Sequence, residues 1–442
     1  MLNLSYKTIL SVAMPLMVSS FIQSIILITD ASFISRYSTL AFDAVGNGGL
    51  IYVTVYMALV GMGDGAQILI ARRIGENNLK SIGKIFGSSL LSNLLIAITL
   101  FAFLQFVIPN WLNDYSKNLE LSKLQGQYIQ IRSYALFFAM ISLSINAFFI
   151  ANGKTWVVLI AAVISATSNI VFDYLMIFGY GGFTEMGLEG AAWASNIGDG
   201  IGMLFLILYL VFSKISKEYQ LFKNFSLHLI SLKELFKVGS PMMFQGFFSL
   251  ATWTLFFTWI EQIGTDELTI SQNVRSVYFL SYVPIWGFAA TTKTYVSQYL
   301  GKGHPSAIRF IRRRIQLLTL VFLFLFFHGA LIYPNYLISI INPSEDHIHK
   351  SGEVMQFVAI SILLYGFVSV YFQTISGSGN TLVTFTIELV CILFYTVSAY
   401  IFIKILHLDI YWIWSVEYIY FGCMGILSIL YLKYFNWQDK KI

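Results

Sequence analysis

Long apolar runs recur along the whole length of this 442-residue sequence, and they constrain its fold more than any other feature. Apolar residues make up 57% of the chain and charged residues only 11%, whereas a soluble domain has about 25% charged residues. Runs of roughly 20 apolar residues are long enough to cross a bilayer as helices. Because the bilayer offers no water to unpaired backbone groups, these runs predict an all-α integral membrane protein.

We predict twelve transmembrane helices, joined mostly by short loops. They cover residues 8–35, 45–71, 85–112, 126–150, 156–179, 188–213, 233–261, 269–299, 310–334, 353–377, 382–405 and 410–434. The longest loop, 214–232, is predicted to be a cytoplasmic linker between an N-terminal six-helix bundle, 1–213, and a C-terminal six-helix bundle, 233–442. Most of the 27 Lys and Arg residues lie in segments that place both termini in the cytoplasm under the positive-inside rule.

The two predicted bundles repeat one another at a constant offset without a gap. Under the shift that takes Pro15 to Pro241, Thr155 corresponds to Thr381. Because each half has an even number of helices, both halves have the same orientation, as in transporters that rock two bundles around a central cavity. The repeat alone does not exclude a channel.

Polar side chains lie at similar depth in the first, fifth and sixth predicted helices. Asp30 lies near the outer end of the first helix. An Asp costs roughly 2.5 to 3.5 kcal/mol at the centre of a membrane helix and less towards the interface. Asn169 and Asp173 are four residues apart and share one helix face. Ser195 reaches the same level, so adjoining helices would form a cluster of two carboxylates, one amide and one hydroxyl.

Such a cluster suits either Na⁺ or a proton, because oxygen ligands hold hard cations and neighbouring carboxylates favour protonation of one of them. The alternative is that these groups only bond neighbouring helices and serve packing. The repeat favours an ion site, since packing needs would be expected in both halves and the second half lacks the polar groups. At the shifted positions of Asp30, Asn169 and Asp173 the sequence has Phe256, Tyr395 and Ala399.

Other intramembrane residues are weaker candidates for a substrate cavity or a gate. Asp64 belongs to an inner gate or reaches interfacial water. Asp199 and Glu388 could face a substrate cavity. The basic residues of the eighth helix could be their counter-ions or could be bonded to carbonyl groups, and the Lys there could instead snorkel to the interface. The full set of weaker candidates is Asp64, Asp199, Arg275, Tyr278, Tyr282, Lys293 and Glu388, with Pro15 as a hinge of the first helix.

The sequence contains no pattern for direct ATP coupling, a metalloprotease or a serine hydrolase, so we expect no enzyme activity and no cofactor apart from a coupling ion. The net charge of +5 does not indicate nucleic-acid binding, because the basic residues cluster between apolar runs. Cys391 and Cys423 lie inside apolar runs and predict no disulfide.

Several segments resemble the multidrug and toxic compound extrusion (MATE) family over essentially the full length of the chain. They are Thr29–Arg36, Gly65–Glu76, Asn169–Gly179, Met186–Ser195, Val238–Pro241 and Val296–Gly301. The resemblance implies the MATE fold, with two pseudo-symmetric six-helix bundles that form a V open to one side. It also implies export of organic cations in exchange for Na⁺ or H⁺.

The resemblance places a family cation site on Asp30, Asn169, Asp173 and Ser195, where Ser195 replaces the commoner Thr. Some members have an acidic residue early in the seventh helix, where this chain has Ser249. That difference puts an ion site in the second bundle in doubt and favours the DinF-like branch of the family.

We therefore expect a secondary active antiporter for multidrug efflux, a xenobiotic transmembrane transporter, in a bacterial-type plasma (inner) membrane. Its partners would be small organic cations and the lipid bilayer, with no nucleic acid, and it would be a monomer. The alternative is a flippase for a lipid-linked oligosaccharide, which would need a large cationic cavity, and membrane-embedded Arg and Lys residues are few. A receptor or an integral enzyme is disfavoured by the repeat and by the lack of a catalytic constellation.

Overall fold

The computed structural model describes residues 2–115, 118–226, 228–342, 345–440 and 442. Within these ranges every regular element is helical, which confirms the predicted fold class. The helices are α1 (Tyr6–Tyr37), α2 (Thr39–Gly75), α3 (Leu79–Ala102), α4 (Ile108–Tyr115), α5 (Leu119–Ser133), α6 (Ala135–Ala151), α7 (Trp156–Phe178), α8 (Gly187–Phe212), α9 (Lys214–Glu218), α10 (Leu229–Glu261), α11 (Thr265–Gly301), α12 (Ser306–Phe327), α13 (Gly329–Ile332), α14 (Pro334–Ile341), α15 (Glu345–Gly377), α16 (Thr381–Tyr400), α17 (Ile410–Ile413) and α18 (Val416–Tyr434). Short π-helical turns follow α3 at Phe103–Val107 and α16 at Ile401–Ile405.

Each of the twelve predicted spans coincides with a long helix or a run of consecutive helices. Among the described residues, eight helical segments are long and apolar enough to cross a membrane, or nine if the bent pair α5 and α6 is one span. The helices at predicted spans seven to nine, which are α10, α11 and α12, are long but less apolar. The chain is therefore a multi-pass membrane protein.

The chain divides into two compact units, and both dividing points lie inside long helices. Unit 1 comprises Val18–Met243, and unit 2 comprises Leu2–Met17 together with Phe244–Ile442. Helices α1 and α10 therefore each contribute to both units. The last residues before the two dividing points, Met17 and Met243, correspond to each other under the offset of the sequence repeat.

The segment predicted as a linker, 214–232, packs closely against α3 within unit 1. A Cβ atom added to Gly83 would lie 2.7 Å from the carbonyl oxygen of Leu221. A Cβ atom on Gly87 would lie 2.8 Å from the carbonyl oxygen of Ser226. This segment therefore depends on two glycines of α3 for its close approach.

The predicted fourth span is a bent pair of helices, because α5 and α6 differ in direction by 43°. The side-chain amide of Gln105, in the π-helical turn after α3, donates to the carbonyl oxygen of Gln130 at 2.9 Å, and Gln130 donates back to the carbonyl of Gln105 at 3.2 Å. Ser133 Oγ also donates to the carbonyl oxygen of Gln130, at 2.7 Å. Side-chain donors thus satisfy a backbone carbonyl next to the bend, where the regular helical pattern is interrupted.

Candidate functional site

Glycines bring α8 very close to α7 within unit 1. A Cβ atom on Gly190 would lie 2.8 Å from the backbone of Met176. A Cβ atom on Gly198 would lie 2.8 Å from the carbonyl oxygen of Ser165 and 2.9 Å from Asn169 Cβ. Small residues allow helices in a membrane to approach closely, so short polar side chains on the two helices can contact each other.

The polar side chains of α1, α7 and α8 meet at this close contact. Asn169 and Asp173 are buried, and Asn169 Nδ2 donates to Ser195 Oγ at 3.3 Å. The carboxyl group of Asp30 lies next to the carboxyl group of Asp173 and the side chain of Asn169. The structure therefore brings together the four residues that the sequence assigns to a cation site, and their ion-binding role stays a prediction.

Several oxygen atoms of this cluster are buried and, among the described residues, accept no hydrogen bond of good geometry. They are Oδ1 of Asp30, Oδ1 of Asn169 and both carboxyl oxygens of Asp173. Two carboxylates that face each other in a dry environment are costly unless a proton or a cation lies between them. The donor set of carboxylate, amide and hydroxyl oxygens suits a proton or a small hard cation, and no group of three or more metal-binding side chains occurs in the described part of the chain.

Arg132 supplies a positive charge next to this cluster. Its Nη1 atom donates to Asp199 Oδ2 at 3.2 Å, and its guanidinium group lies 4.6 Å from the ring centroid of Tyr52. Arg132 also acts electrostatically on Asp30 and Asp173. This part of unit 1 therefore combines three carboxyl groups with one guanidinium group, so full ionisation would leave an excess of negative charge.

The sequence analysis gave Arg132 no role, although an Arg inside a predicted membrane span is itself a signal of function. Of the two alternatives for Arg275, the structure does not support a counter-ion to Asp199 or Glu388. Arg132 pairs with Asp199 instead, Arg275 lies 4.8 Å over the ring of Phe257, and none of the ion pairs between described residues includes Arg275.

Equivalent positions of the repeat also meet in unit 2, where they form a hydrophobic core. Phe256, Tyr395 and Ala399, which correspond to Asp30, Asn169 and Asp173, are all buried in one cluster. The rings of Phe256 and Tyr395 are 5.5 Å apart between centroids. The two units therefore share backbone positions but fill them with different chemistry.

Unit 2 contains a cavity of about 120 Å³. Its lining residues are Ser249, Thr252, Trp253, Tyr278, Phe279, Tyr282, Ile392, Tyr395, Glu417 and Tyr420. The hydroxyl group of Tyr278 donates to Glu417 Oε2 at 2.7 Å and lies 3.0 Å from the hydroxyl oxygen of Tyr282. Two predicted cavity residues, Tyr278 and Tyr282, thus line a cavity, whereas the sequence analysis missed Glu417, an acid within the last predicted span.

Glu388 lies behind the wall of this cavity. It is buried and accepts hydrogen bonds from the hydroxyl groups of Ser249 and Tyr420, which both line the cavity. Its carboxylate is therefore held by neutral donors, which explains why it does not need Arg275.

The remaining candidates lie away from the cavity lining. Lys293 is buried in α11, and a Cβ atom on Gly377 would lie 2.8 Å from its Cα atom. Asp64 is half-buried in α2, one residue before Gly65, whose added Cβ would lie 2.7 Å from Gly239 Cα. Pro15 is half-buried inside α1.

Two repeated helical units with acidic residues inside membrane-spanning helices are typical of membrane transporters. The chain belongs to the MatE family, whose model matches residues 15–175 and again 241–401. The two matches are related by the same shift that takes Pro15 to Pro241, so the sequence repeat is confirmed. The family assignment made from the sequence is likewise confirmed, and the DinF-like branch stays a prediction.

Curated relatives match over much or nearly all of the chain. The probable multidrug resistance protein NorM of Thermotoga maritima is 26% identical over 444 residues, which covers 99% of this chain and 94% of that protein. The protein of the same name from Synechocystis is 27% identical over 336 residues, which covers 73% of this chain and 70% of that protein.

Solved structures of membrane transporters share the fold. An outward-facing multidrug resistance MATE family transporter of the MOP superfamily has a TM-score of 0.90 and 18% identity, covering 98% of this chain and 97% of that one. A MOP superfamily transporter from Pyrococcus furiosus has a TM-score of 0.86 and 18% identity, with the same coverage.

Proposed function

We propose that this protein is a cation-coupled antiporter that uses Na⁺ or H⁺ to export organic, often cationic, drugs and toxins by alternating access. Its membership of the MatE family and the multidrug resistance names of its relatives support this proposal. The proposal includes a monomer in a bacterial-type plasma (inner) membrane with both termini in the cytoplasm. It also includes the division into functional bundles at 1–213 and 233–442.

The observation that carries the coupling proposal is the group of buried oxygens without good hydrogen bonds at Asp30, Asn169 and Asp173. Carboxylates that are buried without partners raise the free energy of the protein, and Arg132 is already paired with Asp199. Binding of Na⁺ or a proton between Asp30 and Asp173 removes that cost. The cluster therefore has a strong affinity for a small cation.

The position of the two carboxyl groups on different helices gives ion binding a conformational consequence. Asp30 is on α1, whereas Asp173 and Asn169 are on α7. A state in which α1 moves relative to α7, with Pro15 as the hinge, separates the ligands and binds the ion more weakly. A difference in ion affinity between two states is what allows an ion gradient to shift their populations.

Export of an organic cation in proteoliposomes tests this proposal. Wild-type protein is compared under a Na⁺ gradient at uniform pH and under a pH gradient without Na⁺, with ethidium as the transported probe. We expect one of the two gradients to drive transport, and Asp30→Asn or Asp173→Asn to lower the driven rate by about ten-fold or more, since intramembrane acids carry coupling. The control is Asp43→Asn, which removes an exposed carboxylate from α2 of the same unit.

Transport by Asp30→Asn at the wild-type rate under both gradients would show that this cluster does not couple the ion. The alternative, a flippase for lipid-linked oligosaccharide, finds less support in the charges of unit 2. Its described cavity is lined by aromatic residues and a carboxylate, with no Lys or Arg among the described lining residues to bind a pyrophosphate.

A further inference from the structure

The cavity of unit 2 has aromatic walls, in contrast to the oxygen cluster of unit 1. The ring of Trp253 lies 5.2 Å from Phe279 and 6.0 Å from Tyr278 between centroids, and Tyr278 lies 5.3 Å from Tyr282. Aromatic faces attract cations, and cages of such rings recognise quaternary ammonium groups. The wall chemistry of this cavity therefore suits a cation with an apolar surface.

Glu417 places a carboxyl group in the same cavity. It is 2% exposed, and it accepts hydrogen bonds from Tyr278 at 2.7 Å and from Tyr395 at 3.3 Å. None of the ion pairs between described residues includes this carboxylate. The two tyrosines hold Glu417 in position, so a cation that enters the cavity would meet a carboxyl group whose ionised form it can stabilise.

The repeat provides an internal precedent for a cation at this place. In unit 1 the guanidinium group of Arg132 lies over Tyr52 at 4.6 Å, and Tyr52 corresponds to Tyr278 of the cavity. The residue of unit 2 that corresponds to Arg132 is Val358, which is buried in the hydrophobic core. Unit 1 therefore covers this tyrosine with its own cation, whereas unit 2 has a cavity beside it.

The size of the cavity limits the cation that fits. Its volume of about 120 Å³ equals that of roughly four water molecules in the liquid. A methylated ammonium head group has a similar number of heavy atoms, whereas a fused-ring dye is several times larger. The cavity thus selects the compact ammonium end of a molecule.

We propose that this cavity is a binding site for the tertiary or quaternary ammonium head of a small molecule, with Glu417 as its counter-ion and Trp253, Tyr278 and Tyr282 as its aromatic walls. The proposal rests on the proposed export function for its broad substrate class, and adds the site, the counter-ion and the size limit.

Calorimetric titration of the full-length protein in detergent tests this proposal. The probes are tetramethylammonium, choline and 3,3-dimethyl-1-butanol, which is the neutral carbon analogue of choline. We expect choline to bind at least about ten-fold more tightly than the neutral analogue, because the carboxylate and the aromatic rings both favour the positive charge. Equal affinity for the charged and neutral analogues, or no binding of either cation at millimolar concentration, would overturn the proposal.

Two substitutions test separately what the carboxylate and the aromatic wall contribute to binding. Glu417→Gln keeps the shape of the side chain, and we expect it to weaken tetramethylammonium binding by about ten-fold or more. The matched control is Glu261→Gln, which removes an exposed carboxylate from α10 of the same unit, and we expect a change below about three-fold.

Trp253→Leu keeps the carboxylate and removes a ring, and it replaces Glu417→Gln as the deciding variant if that protein does not fold. We expect it to weaken tetramethylammonium binding by about five-fold. Wild-type affinity in either folded variant would exclude the site as described. Because the titrations use no ion gradient and leave Asp30 unchanged, their failure would not affect the coupling experiment above.

Discussion

Phe256 and Tyr395 pack with their ring centroids 5.5 Å apart in unit 2, at the two repeat positions where unit 1 has Asp30 and Asn169. Both aromatic residues belong to a buried cluster that also contains Trp414, whose ring lies 5.5 Å from that of Phe256. The same pair of backbone positions thus belongs to a polar cluster in unit 1 and to a hydrophobic core in unit 2. In each half the neighbouring residues match the polarity of the side chains at these two positions.

Phe256→Asp should therefore not restore an ion site in unit 2. Phe256 is 1% exposed among apolar neighbours, and a carboxylate buried there would have neither a counter-ion nor donors, so we expect loss of folded protein. Phe256→Leu keeps an apolar side chain and should cost only about 1 to 2 kcal/mol. Size-exclusion profiles and thermal unfolding in detergent distinguish the two results, and a folded Phe256→Asp protein of normal stability would contradict this account.

The sequence predicted the helical class, the repeat and the grouping of the four polar residues of unit 1 because these depend on hydropathy and spacing. The predicted span 156–179 differs from α7 by one residue, since lipid sets the length of an apolar run. Helices α2 and α11 extend beyond their predicted spans because their ends carry polar residues and still continue the helix. Hydropathy predicts where the apolar part of a helix ends, but it does not predict where the helix itself ends.

The sequence did not predict contacts that depend on the rotation of a helix about its axis. Arg132 and Asp199 are 67 residues apart in the chain, and their ion pair forms only because α5 and α8 turn these side chains towards each other. The same reason applies to Glu417 and Tyr278, which are 139 residues apart. Depth in the membrane is readable from the sequence, whereas the direction of a side chain around the helix depends on packing.

Gly198→Ala should disturb the candidate cation site through helix spacing. The new Cβ would lie 2.8 Å from the carbonyl oxygen of Ser165 and 2.9 Å from Asn169 Cβ, so α7 and α8 must separate, at a cost of about 1 to 3 kcal/mol. We expect a lower midpoint of thermal unfolding and slower gradient-driven efflux.

The matched control is Gly200→Ala on the same helix. Its Cβ would meet Phe138 at 3.6 Å, an ordinary contact, and Ala is favoured over Gly in a helix by about 0.5 to 1 kcal/mol. We expect unchanged or slightly raised stability and normal efflux. Equal effects of the two substitutions would mean that the close contact at Gly198 does not matter for the site.

Arg132→Gln should destabilise the protein more than Asp199→Asn does. Loss of Arg132 leaves Asp30, Asp173 and Asp199 without their nearby positive charge, whereas loss of Asp199 leaves Arg132 close to two other carboxyl groups. We expect a cost of about 2 kcal/mol for Arg132→Gln, below the figure for a fully buried pair because the Asp199 side chain is 42% exposed.

The double variant Arg132→Gln/Asp199→Asn should recover part of that loss, since two partners that contact each other do not contribute additively. Thermal unfolding of the four proteins measures the coupling. Lys350→Gln provides a comparison, because Lys350 pairs with Glu353 and Asp409 in a more exposed setting and should cost less than about 1 kcal/mol. Additive effects at Arg132 and Asp199 would contradict a functional pair.

Asp409 should contribute stability that depends on pH. Partial burial raises the pKa of this carboxyl group. The backbone N–H of Tyr411 and the ammonium group of Lys350 lower it by more than burial raises it, so the pKa lies below its ordinary value. The Lys350 Nζ atom is 2.9 Å from Asp409 Oδ1. A carboxyl whose pKa is lower in the folded state stabilises the protein above its ordinary pKa, and that contribution is lost as the pH falls through the folded-state pKa.

Asp409→Asn should therefore unfold at a slightly lower temperature than the wild type near neutral pH, and the difference should vanish at a pH below both pKa values. The effect is small because the Asp409 side chain is 53% exposed. Unfolding midpoints of both proteins between about pH 7 and about pH 3 measure it. A difference that grows towards acidic pH would have the wrong sign for this explanation.

The unbroken offset between the two family matches, 15–175 and 241–401, means that each half of the chain has a twin with the same architecture. A tandem duplication leaves two copies free to diverge. In this chain one copy has a cluster of polar oxygen atoms, and the other has a cavity lined by aromatic residues. A single ancestral half would have had to contain both kinds of site. Because the architecture is duplicated, a mutation can change the site in one half without changing the site in the other.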